Sequence, residues 1–132
     1  MKIPRFDNAH ILTIGDAMLD RYWHGDTHRV SAEAPIPVID VSSIEDRPGG
    51  AANVALNVAT LGAASSLIAA TGQDEMSDIL ESKLNSSGID CHFIKVEGMS
   101  TITKVRLVSR SQQMIRADFE ALFDIDADQV LK

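Results

Sequence analysis

The segment 47–55 constrains the fold of this chain most, because it places two adjacent glycines directly before an apolar helical pattern. Gly49 and Gly50 carry no Cβ, so the backbone there can approach a ligand closely. The pattern predicts a helix over 51–61 that is ended by Gly62, and its first N–H groups are free to face a ligand. Asn53 adds a side chain that both donates and accepts hydrogen bonds. The segment predicts a platform for a polyhydroxylated or anionic small molecule, with a plain tight loop as the alternative.

The apolar pattern elsewhere in the chain predicts alternating strands and helices. A buried strand is expected over 10–16, running into a Gly-Asp turn, and a second short buried strand over 66–71. A helix over 76–86 follows and is ended by Gly88. Strand, helix, strand, helix predicts an α/β fold with a parallel sheet and right-handed crossovers.

Two segments do not fit a parallel sheet. The stretch 29–44 contains Pro35 and Pro37 among β-branched residues, which predicts an edge strand at best. Residues 101–119 alternate in side-chain type on both sides of a polar turn and predict a β-hairpin. We expect these pieces to form a small accessory sheet, a lid that draws on segments of about 21–47 and 91–120.

Composition excludes several classes of function. The chain has 132 residues, of which 45% are hydrophobic, enough for one modest domain or a part of a larger one. Its net charge of −7 argues against a nucleic-acid partner. No apolar run is long enough to cross a membrane, and the first residues lack the apolar stretch of a signal peptide. Cys91 is the only cysteine and cannot form an internal disulfide, which favours a reduced, cytoplasmic setting.

The sequence predicts neither a zinc site nor a calcium loop. The four histidines have no ligand-like spacing with Cys91 or with the acidic residues. An acidic cluster lacks the glycine and the terminal Glu of an EF-hand, which favours a solvated face or the start of a helix. Its members are Asp118, Glu120, Asp124, Asp126 and Asp128.

Asp20 follows the first predicted strand, at the end of the sheet where open α/β folds bind their ligands. Its ionised carboxylate can accept hydrogen bonds from two vicinal hydroxyls. A loop aspartate that caps backbone N–H groups is the alternative, but the glycine pair and Asn53 favour sugar binding. Tyr22 and Trp23 either shield the ligand or pack between subunits, and the sequence leaves this open.

The chain resembles the ribokinase-like (PfkB) carbohydrate kinases. Every fixed position of the first signature of that family is filled, by Gly49, Gly50, Ala51, Asn53, Ala55, Gly62 and Gly72. Over nearly all of residues 8–132 it is similar to the heptose 7-phosphate kinases within the family, most clearly at 15–23, 31–38, 45–55 and 101–104. The resemblance implies the amino-terminal portion of a three-layer α/β sandwich with a β-sheet lid, which in this family often forms a homodimer contact.

The resemblance also implies a reaction and its site. The family reaction moves the ATP γ-phosphoryl group to O1 of D-glycero-β-D-manno-heptose 7-phosphate, on the route to ADP-heptose and the lipopolysaccharide core. By resemblance, the sugar is held by Asp20, Gly49, Gly50 and Asn53.

The 7-phosphate of such a substrate needs cations or backbone donors. Lys104, Arg106 and Arg116 on the predicted hairpin are candidates, because strand alternation puts the first two on one face. An ordinary solvated strand face is the alternative for these three. Arg47, beside the glycine pair, is a fourth candidate, and a salt bridge with Glu45 or Asp46 is its alternative.

The second signature of these kinases, Asp-Thr-x-Gly-Ala-Gly-Asp, does not occur in this sequence, and neither does the Asn-x-x-Glu of the ATP site. That signature supplies the anion-hole glycines and the general base. We therefore expect a sugar-binding portion without catalytic residues, with ATP and Mg²⁺ used only by the complete enzyme. The acidic start of a helix near 124–131 indicates that the domain continues. The alternatives are a kinase for another sugar phosphate, a non-catalytic dimerisation module, and an incomplete gene product.

Overall fold

The computed structural model describes residues 6–120, within which seven strands and two helices follow one another. The strands are β1 His10–Ile14, β2 Ala17–Val30, β3 Pro37–Gly50, β4 Ala64–Gly72, β5 Ile89–Val96, β6 Thr103–Ser109 and β7 Gln112–Phe119. The helices are α1 Ala51–Thr60 and α2 Glu75–Ser86. Both helices lie where the apolar spacing predicts them. The helix start expected near 124–131 lies outside the described residues.

The first sheet is parallel, with strand order β1-β4-β5, which confirms the predicted α/β alternation. Both crossovers step in the same direction across the sheet, so their right-handedness places α1 and α2 on the same face. The core between these helices and the sheet is made of small and aliphatic side chains. They are Ala52, Ala55, Leu67, Ala69, Leu80, Leu84 and Ile89.

The first strand differs from its prediction in one respect. β1 is a strand as expected, but its expected burial is wrong: Ile14 is 70% exposed and Leu12 52%. The physical reason is its position, because β1 is an edge strand of the first sheet. Within residues 6–120, moreover, the two helices cover only one face of that sheet.

The second sheet has the strand order β3-β2-β6-β7. β3 is an edge strand, as the prolines near its start predict, although it runs on to Gly50. β6 and β7 form the predicted antiparallel hairpin, and its two turn residues, Arg110 and Ser111, both have a positive φ, as a tight hairpin turn requires. Of the segment expected over 91–120, residues up to Val96 pair with β4 in the first sheet instead.

The largest difference from the prediction is the strand β2. Residues 17–30 form a continuous strand that pairs with β3 on one side and with β6 on the other. Asp20 therefore lies within a strand, and the alternative of a loop aspartate that caps backbone N–H groups is wrong. Its position is instead fixed by two neighbouring strands.

Candidate functional site

One face of the second sheet carries the charged residues that the sequence singled out. Residues directly opposite each other on paired strands share a face of the sheet. One cross-strand row consists of Arg47, Asp20, Lys104 and Asp118, and the next of Glu45, Tyr22, Arg106 and Arg116. The four predicted phosphate-binding cations and Asp20 therefore lie on a common face.

The glycine pair joins this sheet to α1. Gly50 has φ +56 and ψ −133, and a Cβ there would lie well under 3.0 Å from the carbonyl oxygen of Asp16. A Cβ on Gly49 would lie 2.6 Å from Oδ2 of Asp20. Gly50 thus requires glycine because backbone of the same chain approaches it, whereas a side chain at Gly49 would displace the Asp20 carboxylate. The Asp20 carboxylate consequently lies against the backbone at the start of α1.

A cleft of about 480 Å³ opens beside this junction. It is lined by Asp20, Tyr22 and Arg47 from the second sheet, Asn53 from α1 and Lys83 from α2. Asn53 is exposed, and its side chain makes no hydrogen bond within residues 6–120. The structure thus brings together three of the predicted residues, Asp20, Asn53 and Arg47, with the glycine pair beside them.

Asp20 is held by Arg106, which was predicted as a phosphate ligand. Nη1 of Arg106 donates to Oδ1 of Asp20, and both side chains are largely buried. The guanidinium of Arg106 also lies 5.2 Å from the centroid of the Tyr22 ring, a cation–π distance. Oδ2 of Asp20 accepts no hydrogen bond within the described part of the chain. One carboxylate oxygen is therefore fixed in place, and the other remains available to a donor.

Arg47 is paired within its own strand. Its Nε and Nη2 donate to the two carboxylate oxygens of Glu45 at 2.7 and 3.0 Å, and its guanidinium lies 4.6 Å from the Tyr22 centroid. The hydrogen bonds from Arg47 lower the pKa of the Glu45 carboxyl. The salt bridge that the sequence offered as an alternative for Arg47 is therefore present, at the rim of the cleft.

Lys104, Arg106 and Arg116 do not line the cleft. Lys104 Nζ lies 3.2 Å from Asp118 and 3.1 Å from Glu120, and Arg116 Nε lies 2.7 Å from Asp118. Hydrogen bonds to Glu120 and Asp118 raise the pKa of Lys104. Two members of the acidic cluster thus neutralise cations of the second sheet. The remaining members, Asp124, Asp126 and Asp128, lie outside the described residues.

A hydrogen-bond network anchored on Asp74 connects the two sheets. Its carboxylate caps α2 by accepting from Ser77 N at 2.9 Å, and it also accepts from Thr101 N at 2.8 Å and Thr101 Oγ1 at 2.7 Å. Thr101 Oγ1 accepts in turn from Gly72 N at 3.0 Å. Burial opposes ionisation of Asp74, but these hydrogen bonds outweigh it and lower its pKa. The network fixes the entry to β6 against the end of β4.

Tyr22 and Trp23 face opposite sides of the second sheet. Tyr22 lines the cleft, whereas Trp23 lies in a cross-strand apolar row with Ile44, Leu107 and Ile115. Ile44 is 58% exposed and Ile115 59%. The sequence left two roles open for these residues, shielding of a ligand and packing between subunits. Tyr22 lies on the face that suits the first role, and Trp23 lies on the face that suits the second.

Sequence reasoning missed Lys83, which lines the cleft, and Asp74, which joins the two sheets outside it. An aspartate directly before the helical pattern, with Glu75 in the first turn, is a helix N-cap signal that could have identified Asp74. A lysine in the last turn of a helix has an ordinary explanation in the helix dipole, so no sequence signal separates Lys83 from a surface residue.

The described residues show no metal site and no membrane span. Between residues 6 and 120, no group of three or more His, Cys, Asp or Glu side chains is arranged to hold a metal ion. Neither of the two described helices has the length and apolar character that crossing a bilayer requires.

Comparisons with known proteins agree on a family. The sequence profile of the pfkB family carbohydrate kinases matches residues 8–131. The protein named Bifunctional protein HldE from Alcanivorax borkumensis is 58% identical over 121 residues, covering 92% of this chain and 25% of that protein. The one of the same name from Stutzerimonas stutzeri is 53% identical over 131 residues, covering 99% and 28%. The chain spans about a quarter of the length of the curated relatives it matches.

Solved structures give the same fold. A carbohydrate kinase from Agrobacterium tumefaciens superposes with a TM-score of 0.68 at 20% identity, covering 84% of this chain and 35% of that one. A ribokinase from Thermotoga maritima superposes with a TM-score of 0.60 at 22% identity, covering 84% and 36%. The described residues therefore have the α/β fold of the ribokinase-like kinases, as the sequence predicted.

Proposed function

The chain belongs to the pfkB family of carbohydrate kinases, and from that premise we propose that it forms the sugar-binding part of a kinase for D-glycero-β-D-manno-heptose 7-phosphate. The observation that carries the proposal is the cleft lined by Asp20 and Asn53, with the glycine pair beside it. The similarity of the whole chain to proteins named HldE supports a heptose rather than another sugar.

Three features of the cleft suit the hydroxyls of a sugar. Oδ2 of Asp20 accepts from a hydroxyl while Oδ1 stays bound to Arg106, so Arg106 is a positioning residue for Asp20. The Asn53 amide can donate to one hydroxyl and accept from another. Gly49 and Gly50 leave the backbone before α1 uncovered by side chains, although Ala51 N already donates to the carbonyl oxygen of Asp16 at 2.9 Å.

The phosphate of the substrate would meet cations on the same face. Arg47 lines the cleft, and it would exchange Glu45 for the phosphate, since both ligands take a bidentate guanidinium. Lys104, Arg106 and Arg116 lie on this face behind the cleft and would have to release their carboxylate partners before binding an anion. We keep Arg47, Lys104 and Arg116 as proposed phosphate ligands, with Arg47 the most direct, because Arg106 is already engaged in positioning Asp20.

The complete enzyme would use ATP and Mg²⁺ to transfer a phosphoryl group to O1 of the heptose 7-phosphate, giving the 1,7-bisphosphate that ADP-heptose and lipopolysaccharide core synthesis require, a cytoplasmic step. The donor and its metal supply the phosphoryl group and the charge stabilisation of the transfer. The second signature, which supplies the general base and the anion-hole glycines of these kinases, does not occur in this sequence. We therefore assign this chain binding and orientation of the sugar, and no catalytic residue.

The apolar row on the opposite face favours a second candidate function, dimerisation. Ile44, Trp23, Leu107 and Ile115 cross all four strands of the second sheet, and the two outer members are more than half exposed. An apolar row with exposed ends suits contact with a second copy of itself across a two-fold axis. A dimer that forms in the same way with and without sugar would favour a dimerisation module that functions independently of ligand.

Calorimetric titration of the 132-residue chain with heptose 7-phosphate and with fructose 6-phosphate tests the proposal. We expect saturable binding of heptose 7-phosphate and at least about tenfold weaker binding of fructose 6-phosphate, the difference that one lost hydrogen bond to a charged group produces. Equal binding of both would favour a kinase for another sugar phosphate. Binding of neither by a chain that unfolds cooperatively in urea would overturn the proposal.

A further inference from the structure

Lys83 is a cationic residue of α2 that lines the cleft, whereas the other cations considered so far lie on the second sheet. It lies in the last turn of the helix and lines the same cleft as Asp20, Arg47 and Asn53. It is exposed, and its Nζ makes no hydrogen bond or ion pair within residues 6–120.

The charges that line the cleft are otherwise compensated. Asp20 is paired with Arg106, and Arg47 with Glu45. The third pair is Asp46, which accepts from Arg21 at 2.7 and 2.9 Å. Lys83 is therefore the one charged residue of the described cleft lining without an opposite partner. An anion can bind it without displacing a carboxylate, as it would have to do at Arg47.

The carbonyl groups at the end of α2 are also hydrogen-bonded, which makes this helix end less unfavourable for an anion. Free carbonyl groups at a helix C-terminus carry partial negative charge and repel anions. Here the carbonyl of Lys83 accepts from the hydroxyls of Ser86 and Ser87 at 2.7 and 3.1 Å. The carbonyls of Leu84 and Asn85 accept from the N–H groups of Ser87 and Gly88 at 3.0 Å each. These hydrogen bonds reduce the negative potential next to the Lys83 side chain.

We propose that Lys83 binds the phosphate group of the substrate and so selects phosphorylated over unphosphorylated sugars. This inference rests on the proposed function, because it requires that the sugar occupies the cleft. Asp20 and Asn53 then hold the hydroxyls, and Lys83 holds the phosphate from α2. The other explanation for Lys83 is a purely structural one, stabilisation of the helix dipole.

The experiment compares two ligands with four proteins. Heptose 7-phosphate and the unphosphorylated heptose are titrated into the wild-type chain, Lys83→Ala, Lys83→Arg and Lys95→Ala. Lys95 is the matched control, because it lies on β5 outside the cleft and is paired with Asp78 at 2.8 Å. A urea melt of each variant verifies folding.

We expect Lys83→Ala to weaken the binding of heptose 7-phosphate about tenfold, as loss of a charged hydrogen bond predicts, and to leave the binding of unphosphorylated heptose unchanged. Lys83→Arg keeps the charge and most of the affinity, and Lys95→Ala binds like the wild type. Equal losses for both ligands, or no change for heptose 7-phosphate, would show that Lys83 is structural and overturn the inference alone. A folded wild-type chain that binds neither ligand would overturn the proposed function and this inference with it.

Discussion

Replacing Gly50 with alanine tests whether the backbone conformation at this position requires glycine even when no ligand is bound. The φ of +56 with ψ of −133 belongs to a region that side chains avoid, at a cost of about 1–3 kcal/mol. The new Cβ would also overlap the carbonyl oxygen of Asp16, which already accepts from Ala51 N at 2.9 Å and is held in place. Overpacking of this kind adds about 1–3 kcal/mol. The two effects together predict a loss of about 2–6 kcal/mol.

Gly88→Ala is the matched control for this prediction. Gly88 also has a positive φ, +76, but a Cβ there would meet nothing within 4 Å. The control therefore carries the conformational cost of about 1–2 kcal/mol without the overlap. Urea unfolding followed by circular dichroism gives both free energies. With a slope of about 2 kcal/mol per molar, the midpoint of Gly50→Ala should lie about 1 M below that of the control.

The contradicting result is a Gly50→Ala variant whose free energy of unfolding lies within about 0.5 kcal/mol of that of Gly88→Ala, a spread typical of surface substitutions. It would mean that the start of α1 relaxes around a side chain. The glycine at this position would then have to be explained by a ligand alone.

Three further predictions follow from the same structure. Gly49→Ala displaces the side chains of Asp20 and Met18 rather than the backbone, so it should weaken the binding of heptose 7-phosphate in calorimetry more than tenfold while costing about 1–3 kcal/mol in a urea melt. Asp74→Asn should cost about 1–3 kcal/mol at pH 7 by removing hydrogen bonds to Thr101. Folding lowers the pKa of Asp74, so the stability that its carboxylate contributes is present above the ordinary carboxyl pKa of about 4 and is lost as the pH falls through the folded pKa. The free energies of unfolding measured in urea at pH 7 and at pH 3 should therefore differ less in the variant than in the wild type. Ile44→Glu should shift sedimentation from dimer to monomer without changing sugar affinity, and an unchanged dimer would exclude the apolar row as the contact.

The elements that the sequence predicts well are those with local signals. The helix after Gly50 and the hairpin at Arg110 and Ser111 depend on periodicity and on turn residues, which neighbouring positions reveal. β2 is different, because each of its faces carries both apolar and charged side chains; Leu19 and Arg21, for example, share one face. Its strand character comes from pairing with two distant strands, and no local pattern encodes that pairing.

The candidate site divides in the same way. The glycine pair and Asn53 carry a spacing that can be recognised in the sequence; Asn53 lines the cleft, and the glycines follow Pro48, which also lines it. The pairing of Asp20 with Arg106 joins residues far apart in the chain, so their spacing predicts a common face at best. The cation contributed by Lys83 depends on how α2 packs beside β3, which is a property of the tertiary structure.

Comparing Asn53→Ala with Asn57→Ala is the sharpest test of whether the cleft at the start of α1 binds a phosphorylated heptose. Both asparagines are exposed on α1, both replacements raise helix propensity equally, and only Asn53 lines the cleft. In calorimetric titration with heptose 7-phosphate, we expect about tenfold weaker binding for Asn53→Ala and wild-type binding for Asn57→Ala. Equal affinities for the two variants would contradict it.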